Sequence, residues 1–181
     1  MSTLPLKPWS YVVLALIGEG GAGPHDLVDM MRRGGRVFYA AAPSQIYAEP
    51  KRLAELGHVT AEKAAGQTHE RTVYRLTETG REALAAWAAE PTPFARIQSE
   101  ANARLLAGGL VDDEDLMASL LSLRAEIEEL DGLLAESERA LEALPEERRR
   151  YLRLSYGLGR RLLDAHRGWL DEVERELSGG S

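Results

Sequence analysis

The sequence predicts a mostly α-helical protein with a small β-hairpin wing: a winged helix-turn-helix domain followed by long helices. The first observation is the helix-forming run of residues 43–56, which Gly57 ends. The second is a pair of β-branched segments directly after it, His58–Thr60 and Thr72–Thr77. The third is a leucine repeat in steps of four and three over residues 116–144.

Two helices are predicted before this run. Pro8 fits the first turn of a helix that continues to about Ile17, because the N–H that proline lacks has no partner there in any case. A second helix is predicted over His25–Arg33, which two glycines end. A fourth is predicted from Thr77 to Ala89, after the two strands. The order helix, helix, helix, strand, strand, helix is typical of a winged helix-turn-helix domain.

The third helix has the side-chain distribution of a DNA-recognition helix. Ile46, Leu53 and Leu56 fall on one stripe at helical spacing, and we expect this stripe to be buried. Pro50 removes one helix hydrogen bond, so we expect a tolerated bend there. Polar and cationic side chains suited to a nucleic-acid groove project elsewhere: Ser44, Gln45, Tyr47, Lys51 and Arg52.

Long helices dominate the second half of the chain. A helix is predicted from about Phe94 to Ala107, and a longer one begins at the four carboxylates of residues 112–115, which favour a helix N-terminus. Another long helix follows Pro145 and runs from Glu146 to about residue 177.

We expect these long helices to make the protein a dimer. A hairpin of that length cannot bury both of its faces, and a second copy of the chain is the simplest cover. We therefore divide the chain into a DNA-binding domain, residues 1–91, and a helical dimerisation domain, residues 92–181. Whether the helices pair within a subunit or swap between subunits stays open. The expected dimerisation residues are Leu116, Leu120, Leu123, Ile127, Leu130, Leu134, Leu162, Trp169, Leu170 and Val173.

Composition excludes several classes of protein. The chain has 181 residues and no cysteine, which rules out disulfides and cysteine-ligated zinc. No apolar run approaches the roughly 20 residues of a membrane-spanning helix, and no secretory signal is recognisable, so we expect a cytoplasmic protein with no membrane partner. The four histidines lack metal-ligand spacing, and P-loop, nucleophile-elbow and dinucleotide-binding motifs are absent. We expect no metal, no cofactor and no enzymatic activity.

The net charge of −7 is unevenly distributed. Residues 1–91 hold ten basic and ten acidic residues, so the excess of negative charge lies in residues 92–181. Residues 32–52 hold five basic side chains against one acidic side chain. Because salt screens charges beyond about 10 Å at 0.1 M, a small basic face can engage phosphates on an otherwise acidic protein.

The side chains of the third helix suggest individual roles. Gln45 is the candidate for reading an adenine edge, because glutamine pairs with adenine N6 and N7. Ser44 and Tyr47 are expected to contact phosphates or bases, and Lys51 and Arg52 the DNA backbone. Each of these residues taken alone also fits a solvated surface position, and Tyr47 equally fits a core position with an outward hydroxyl.

Further candidates lie in the wing and among the aromatic residues. His69 and Arg71 are expected to enter the minor groove or to bind phosphate. The large aromatic residues fit core positions, and the alternative is an aromatic pocket at the dimer interface for a flat small molecule. The residues concerned are Trp9, Trp87, Phe94 and Trp169.

Three segments together resemble the PadR family of bacterial transcriptional regulators. They are Pro-Trp-Ser-Tyr-Val-Val-Leu-Ala-Leu-Ile at 8–17, Pro-Ser-Gln-Ile-Tyr-Ala-Glu-Pro-Lys-Arg-Leu-Ala-Glu-Leu-Gly at 43–57, and Val-Tyr-Arg-Leu-Thr-Glu-Thr-Gly-Arg-Glu-Ala-Leu at 73–84. The second half looks like the two-helix C-terminal domain of one branch of that family. Family members commonly open the second helix with Gly-Tyr-Glu-Leu, where this chain has His25-Asp26-Leu27.

The resemblance implies a homodimeric repressor that binds a palindromic operator in double-stranded DNA and releases it on binding a small, often phenolic effector. By this likeness Ser44, Gln45, Tyr47 and Lys51 are recognition-helix contacts, and Arg71 is a wing contact. The alternative is a protein-interaction adaptor that uses the winged domain and the coiled coil without sequence-specific DNA binding.

Overall fold

The computed structural model of the protein describes residues 6–39, 41–64, 71–95 and 97–179. They form two compact units. The first comprises the described residues up to Arg32 together with Tyr39–Pro93, and the second comprises Arg33–Phe38 together with the described residues from Phe94 onward.

The first unit has the predicted order of elements and confirms the winged helix fold. Its helices and strands are α1 (Pro8–Ile17), α2 (Pro24–Arg33), α3 (Pro43–Glu55), β1 (Val59–Ala64), β2 (Arg71–Leu76) and α4 (Glu78–Ala88). The strands of the wing are antiparallel, with Val59 opposite Leu76 and Ala64 opposite Arg71. The wing is longer than predicted, because β1 continues through the polar residues after Thr60, whose side chains need no burial in an exposed hairpin.

The core of this unit lies between α1, α2, α3 and the base of the wing. Leu14, Ile17, Leu27 and Leu53 are completely buried there. The segment before α2 adds a backbone bridge to the wing: the Ala22 N–H donates to the Tyr74 carbonyl at 3.0 Å, and the Tyr74 N–H donates back at 2.9 Å. The wing is therefore tied to the helices through both backbone and side chains.

One predicted core residue of α3 is on the surface. Leu56 is 49% exposed, because α3 ends at Glu55 and the chain turns at Gly57, which has a φ of 78°. The buried stripe of α3 consists instead of Ile46, Pro50 and Leu53. Pro50 lies inside the helix without ending it.

The exit from the wing explains the Leu-Thr-x-x-Gly sequence of residues 76–80. The Thr77 side chain caps α4 by accepting a hydrogen bond from the Gly80 N–H at 3.1 Å, and its hydroxyl donates to the Gly57 carbonyl at 2.7 Å. A Cβ at position 80 would lie 2.0 Å from the His58 carbonyl oxygen. Only glycine therefore lets the start of α4 approach the start of the wing this closely.

The second unit is built on a helical hairpin. Its helices are α5 (Glu100–Leu106), α6 (Asp113–Ala140) and α7 (Glu146–Ser178), with α6 and α7 packed antiparallel. The predicted start of the helix before α6 is wrong: Phe94 lies outside it, and α5 begins at Glu100. The Ser99 side chain caps α5 by accepting from the Asn102 N–H at 3.1 Å, which fixes the later start.

The leucine repeat is used inside one chain. The seam of α6 packs on α7 of the same chain, and this packing buries most of the residues predicted for dimerisation. The heptad pattern identifies the apolar face of α6 but not the helix that covers it. In this chain the apolar face of α7, the following helix, covers it. Buried members are Leu116, Leu120, Ile127, Leu130, Leu134, Leu170 and Val173, and the partly buried members are Leu123, Leu162 and Trp169.

Residues 33–38, which join α2 to α3 along the chain, belong to the second unit. The Arg36 guanidinium pairs with Glu126 at 3.1 Å and with Glu129 at 3.0 Å, both on α6. Among the described residues, no helix is long and apolar enough to cross a membrane.

Replacing Gly80 with alanine should destabilise the first unit by at least about 3 kcal/mol, since the added Cβ overlaps the His58 carbonyl oxygen. Urea unfolding followed by tryptophan fluorescence measures this free energy. Thr79→Ala is the matched control, because Thr79 is exposed on the same helical turn and should change stability by less than about 0.5 kcal/mol. Equal midpoints for Gly80→Ala and the parent would show that α4 does not make this close approach.

Candidate nucleic-acid interface

The outer face of α3 is free of the core. Ser44, Ala48, Lys51 and Glu55 recur in steps of four and three, so they lie on one face of the helix, and all four are exposed. This face is opposite Ile46 and Leu53, which the core buries. Ala48 was not among the predicted contacts, although a small apolar side chain between polar ones is suited to contact a thymine methyl group.

The inner flank of α3 is fixed to α1 by a polar cluster. Ser10 is fully buried, and its hydroxyl donates to Glu49 Oε1 at 2.7 Å. The Arg52 guanidinium donates to the same carboxylate oxygen at 2.8 Å and to the Ser10 hydroxyl oxygen at 2.8 Å. Arg52, predicted as a DNA-backbone contact, is thus engaged in orienting the helix. A sequence pattern does not show this, because Ser10 is distant in the chain.

The cluster also sets the protonation of Glu49. Burial acts to raise the pKa of this carboxyl, but hydrogen bonds from Arg52 and Ser10, with the charges of Arg52 and Lys7, outweigh burial and hold the pKa below its ordinary value of 4.5. Glu49 is therefore ionised at neutral pH and gives Arg52 a fixed partner.

Gln45 closes the first turn of α3. Its side-chain oxygen accepts a hydrogen bond from the Ala42 N–H at 3.1 Å, which helps to satisfy the helix N-terminus where Ala42 has no capping side chain. Ser44 and Gln45 are both exposed next to this turn.

Tyr47 contacts the start of α2. Its hydroxyl lies 3.3 Å from His25 Nδ1, and the two rings are edge-on with centroids 5.9 Å apart. The Tyr47 side chain is half-buried, so it lies between the two positions expected from the sequence, a solvated surface position and a core position with an outward hydroxyl. His25 was not among the contacts predicted from the sequence, in which its one distinguishing feature is its place at the opening of the second helix of the helix-turn-helix.

The described strands of the wing carry three cations, of which Arg75 pairs with Glu62 on the opposite strand at 2.9 Å. Arg71 is exposed, and its guanidinium lies 3.8 Å from Asp26 of α2. Lys63, opposite Thr72 on β1, is exposed and was not selected from the sequence. His69, the other predicted wing contact, lies outside the described residues.

The five cations of residues 32–52 are divided between the two units. Arg33 and Arg36 belong to the second unit, where carboxylates of α6 bind Arg36. Arg32 pairs with Asp29 at 3.0 Å, and Glu49 holds Arg52. Lys51 is the cation on the outer face of α3, and no ion pair in the described part of the chain involves it. The positive charge available for phosphate is therefore more localised than the sequence predicts.

Two comparisons with known proteins give matches that each cover less than half of the chain. The model of the transcriptional regulator PadR-like family matches residues 13–86. The negative transcriptional regulator PadR of Bacillus subtilis (strain 168) is 30% identical over 90 residues, which is 49% of this chain and 50% of PadR. The match thus spans about half the length of that relative.

Two solved structures of PadR from Bacillus subtilis resemble almost the whole chain. Its complex with operator DNA has a TM-score of 0.73 at 22% identity and covers 95% of this chain and 98% of PadR. Its complex with p-coumaric acid has a TM-score of 0.66 at 21% identity, with coverages of 95% and 98%. At these identities the likeness establishes the fold.

Glu49→Gln should lower the free energy of unfolding by about 1.5 to 3 kcal/mol at pH 7, because it removes the charge that binds Arg52 and Ser10. The folded pKa of Glu49 lies below its unfolded value, so the contribution is present above about pH 4.5 and is lost as pH falls through the folded pKa. The difference between parent and variant in urea unfolding should therefore shrink towards pH 3.

Glu55→Gln is the control for this series. Glu55 is exposed on the same helix, and its substitution should change stability by less than about 0.5 kcal/mol at either pH. A Glu49→Gln effect that is equally large at pH 7 and pH 3 would contradict the charge-based account.

Proposed function

We propose that this chain, whose residues 13–86 match the model of the transcriptional regulator PadR-like family, is a sequence-specific DNA-binding regulator that acts as a homodimeric repressor. The observation that carries the proposal is the outer face of α3: four exposed positions in helical register, opposite a face that is fixed to the core. A helix of this kind fits the major groove, which is about 12 Å wide.

Individual residues have distinct parts in the proposed complex. Ser44, Gln45 and Tyr47 contact bases or phosphates from the first turns of α3, the part of a recognition helix that reaches base edges. Lys51 contacts phosphate. Arg52 braces the helix against Glu49 and retains about two-fifths of its side chain exposed, which is enough for a second contact with the DNA backbone.

The wing supplies further phosphate or minor-groove contacts in this proposal. Arg71 and Lys63 are exposed on the two paired strands, and His69 lies in the segment that connects them. The ion pair between Arg71 and Asp26 is long and both side chains are exposed, so exchanging it for a phosphate costs little.

The dimer is proposed from apolar side chains that the single chain leaves uncovered. Leu154 and Leu158 are 67% and 53% exposed one helical turn apart on α7. Phe94, Leu106 and Leu110 are 91%, 83% and 87% exposed around α5. A second copy that covers both groups would form a two-fold dimer, and its two α3 helices would match a palindromic operator.

In the proposed dimer, most of the predicted dimerisation residues hold the helical hairpin of each subunit together. The leucine seam holds α6 and α7 together, and Trp169 packs at its edge. Trp169 and Leu162 of α7 are both half-buried, so part of their surface is available to a second copy. We propose residues 1–91 as the DNA-binding domain and 92–181 as the dimerisation domain, in a protein that acts in the cytoplasm.

A small aromatic effector is the proposed signal for release of the operator. PadR of Bacillus subtilis has been crystallised with p-coumaric acid. The second unit of this chain contains a groove of about 380 Å³ beside Ile97, His166 and Trp169. His166 Nδ1 is 2.7 Å from the Leu162 carbonyl oxygen, to which it can only donate. In the neutral imidazole, Nε2 is then the acceptor that could bind a phenol.

Lys51→Ala tests the DNA contact. The variant should bind duplexes from the region upstream of the chain's own gene more weakly than the parent does, and by a similar factor for every sequence. In a plot of log binding constant against log salt concentration, the slope should become shallower by about 0.9 for each phosphate that the lysine no longer neutralises. Arg139→Ala, which removes an exposed cation of α6, is the control and should leave the slope unchanged. Parent protein that binds all duplexes weakly and equally would support the adaptor instead.

The dimer is tested by Leu154→Asp combined with Leu158→Asp. Both side chains are exposed, so the variant should fold, sediment as a single subunit and lose binding to a palindromic duplex. Ala125→Asp adds a charge to an exposed position of α6 and should remain dimeric. Parent protein that sediments as a monomer at high micromolar concentration would overturn the proposed assembly.

A further inference from the structure

Building on the proposed function, on which this inference rests, we propose that His25 and Tyr47 form a phosphate-binding pair that holds DNA more tightly when His25 is protonated. The pair joins the two helices of the helix-turn-helix. His25 lies in the first turn of α2, and its Nδ1 is 3.3 Å from the Tyr47 hydroxyl oxygen on α3. The proposed DNA contacts thereby gain a residue of α2 and a dependence on pH.

The pair lies between two elements that are proposed to bind DNA. Tyr47 belongs to the recognition helix, and Asp26, the residue after His25, is 3.8 Å from the Arg71 guanidinium of the wing. His25 itself is exposed. The first helix of a helix-turn-helix motif crosses the DNA backbone, so a phosphate is the part of the duplex that His25 would meet.

The neutral pair offers one donor to a phosphate. A neutral imidazole carries one N–H, and a tyrosine hydroxyl carries one hydrogen. If Nδ1 accepts from the Tyr47 hydroxyl, the N–H at Nε2 of His25 is the donor that remains. If Nδ1 donates to the hydroxyl oxygen instead, the hydroxyl hydrogen is available, but Nε2 is then an acceptor. Either tautomer therefore leaves one of the two groups without a hydrogen for the phosphate oxygen.

Protonation gives the pair a second donor and a positive charge. The imidazolium carries an N–H on both nitrogens, so Nδ1 donates to the Tyr47 oxygen while the hydroxyl hydrogen and the Nε2 N–H are both available. The added proton comes from solvent, and no other bond changes. Hydrogen bonds to an ionised group are roughly twice as strong as neutral ones. Binding of the proton to His25 and binding of the phosphate to the pair therefore favour each other.

The carboxylates of α2 are bound to other cations. Asp26 lies beside the Arg71 guanidinium, and Asp29 pairs with Arg32 at 3.0 Å. In the described part of the chain no ion pair includes His25, so a DNA phosphate can supply the charge that balances the imidazolium. The charged groups on the other neighbouring elements are Glu49, which Arg52 binds, and Lys51 on α3, and Lys63 on β1.

The experiment compares the DNA-binding constants of the full-length parent and His25→Gln, with one duplex selected by the parent, from pH 5.5 to pH 8 at fixed salt concentration. Glutamine keeps a donor but takes up no proton in this range. The ratio of parent to variant should be below about three at pH 8 and should rise at least about fivefold by pH 5.5. The ratio isolates His25, because every other titrating group, His69 included, is common to both proteins.

The salt dependence gives a second measure of the same contact. In a plot of log binding constant against log salt concentration at pH 5.5, the parent should have a slope steeper than that of His25→Gln by about 0.9 for each phosphate that His25 neutralises. At pH 8 the two slopes should agree.

Two further variants test the pairing and control for charge. Tyr47→Phe removes the hydroxyl, and the ratio of parent to this variant should also grow towards pH 5.5, because the hydroxyl hydrogen is then always available to the phosphate. Arg32→Gln removes an exposed cation of the same helix. Arginine keeps its charge throughout this range, so the ratio for Arg32→Gln should not change with pH.

The outcomes separate the phosphate-binding pair from the proposed function. A ratio of parent to His25→Gln that stays constant from pH 5.5 to pH 8 would overturn the proposal, even where the parent itself binds more tightly at low pH. A constant ratio for Tyr47→Phe would show that the hydroxyl does not respond to His25, and the pairing would be wrong. If the parent selects no duplex, the proposed function fails and the pair with it.

Discussion

The attachment of α3 to α1 determines how the rest of the first unit can act. Ile46, Pro50 and Leu53 bury one face of the helix, and the cluster of Glu49 and Arg52 with Ser10 prevents rotation about its axis. Apolar packing alone tolerates small rotations, whereas hydrogen bonds to a buried hydroxyl require one orientation. Because the inner face is fixed in this way, the outer face keeps a defined direction.

The wing and α4 are built onto this core by close backbone contacts. The bridge between Ala22 and Tyr74 joins the wing to the start of α2, and the cap at Thr77 together with Gly80 joins α4 to the other end of the wing. The exposed cations of the wing consequently extend from a rigid base. In the proposed complex, a fixed arrangement of this kind would let several weak contacts act together, since little conformational entropy would be lost on binding DNA.

Local patterns predicted the fold well, and long-range contacts account for what they missed. The helical periodicity of residues 43–55 and the β-branched wing were sufficient for the winged helix. Periodicity also identified the apolar face of α6, but it could not show that α7 of the same chain covers this face. The carboxylate partners of Arg36 are likewise distant in sequence, so a charge count over residues 32–52 could not include them. The carboxylate partner of Arg52 is Glu49, three residues away, but its second partner, the Ser10 hydroxyl, is also distant in sequence. Gln45 was selected from its residue type, and only the geometry showed that its oxygen is engaged.

Site-specific photo-crosslinking would show whether the outer face of α3 lies against duplex DNA, as we propose. A photoreactive benzoylphenylalanine would replace Ala48, in the middle of that face, and in a second variant Ala86, exposed on α4, which packs against α1. Irradiation with a duplex selected by the parent protein should give a protein–DNA adduct from position 48 and little from position 86. Equal adduct yields at the two positions, or none at position 48 in a variant that still binds the duplex, would contradict the account.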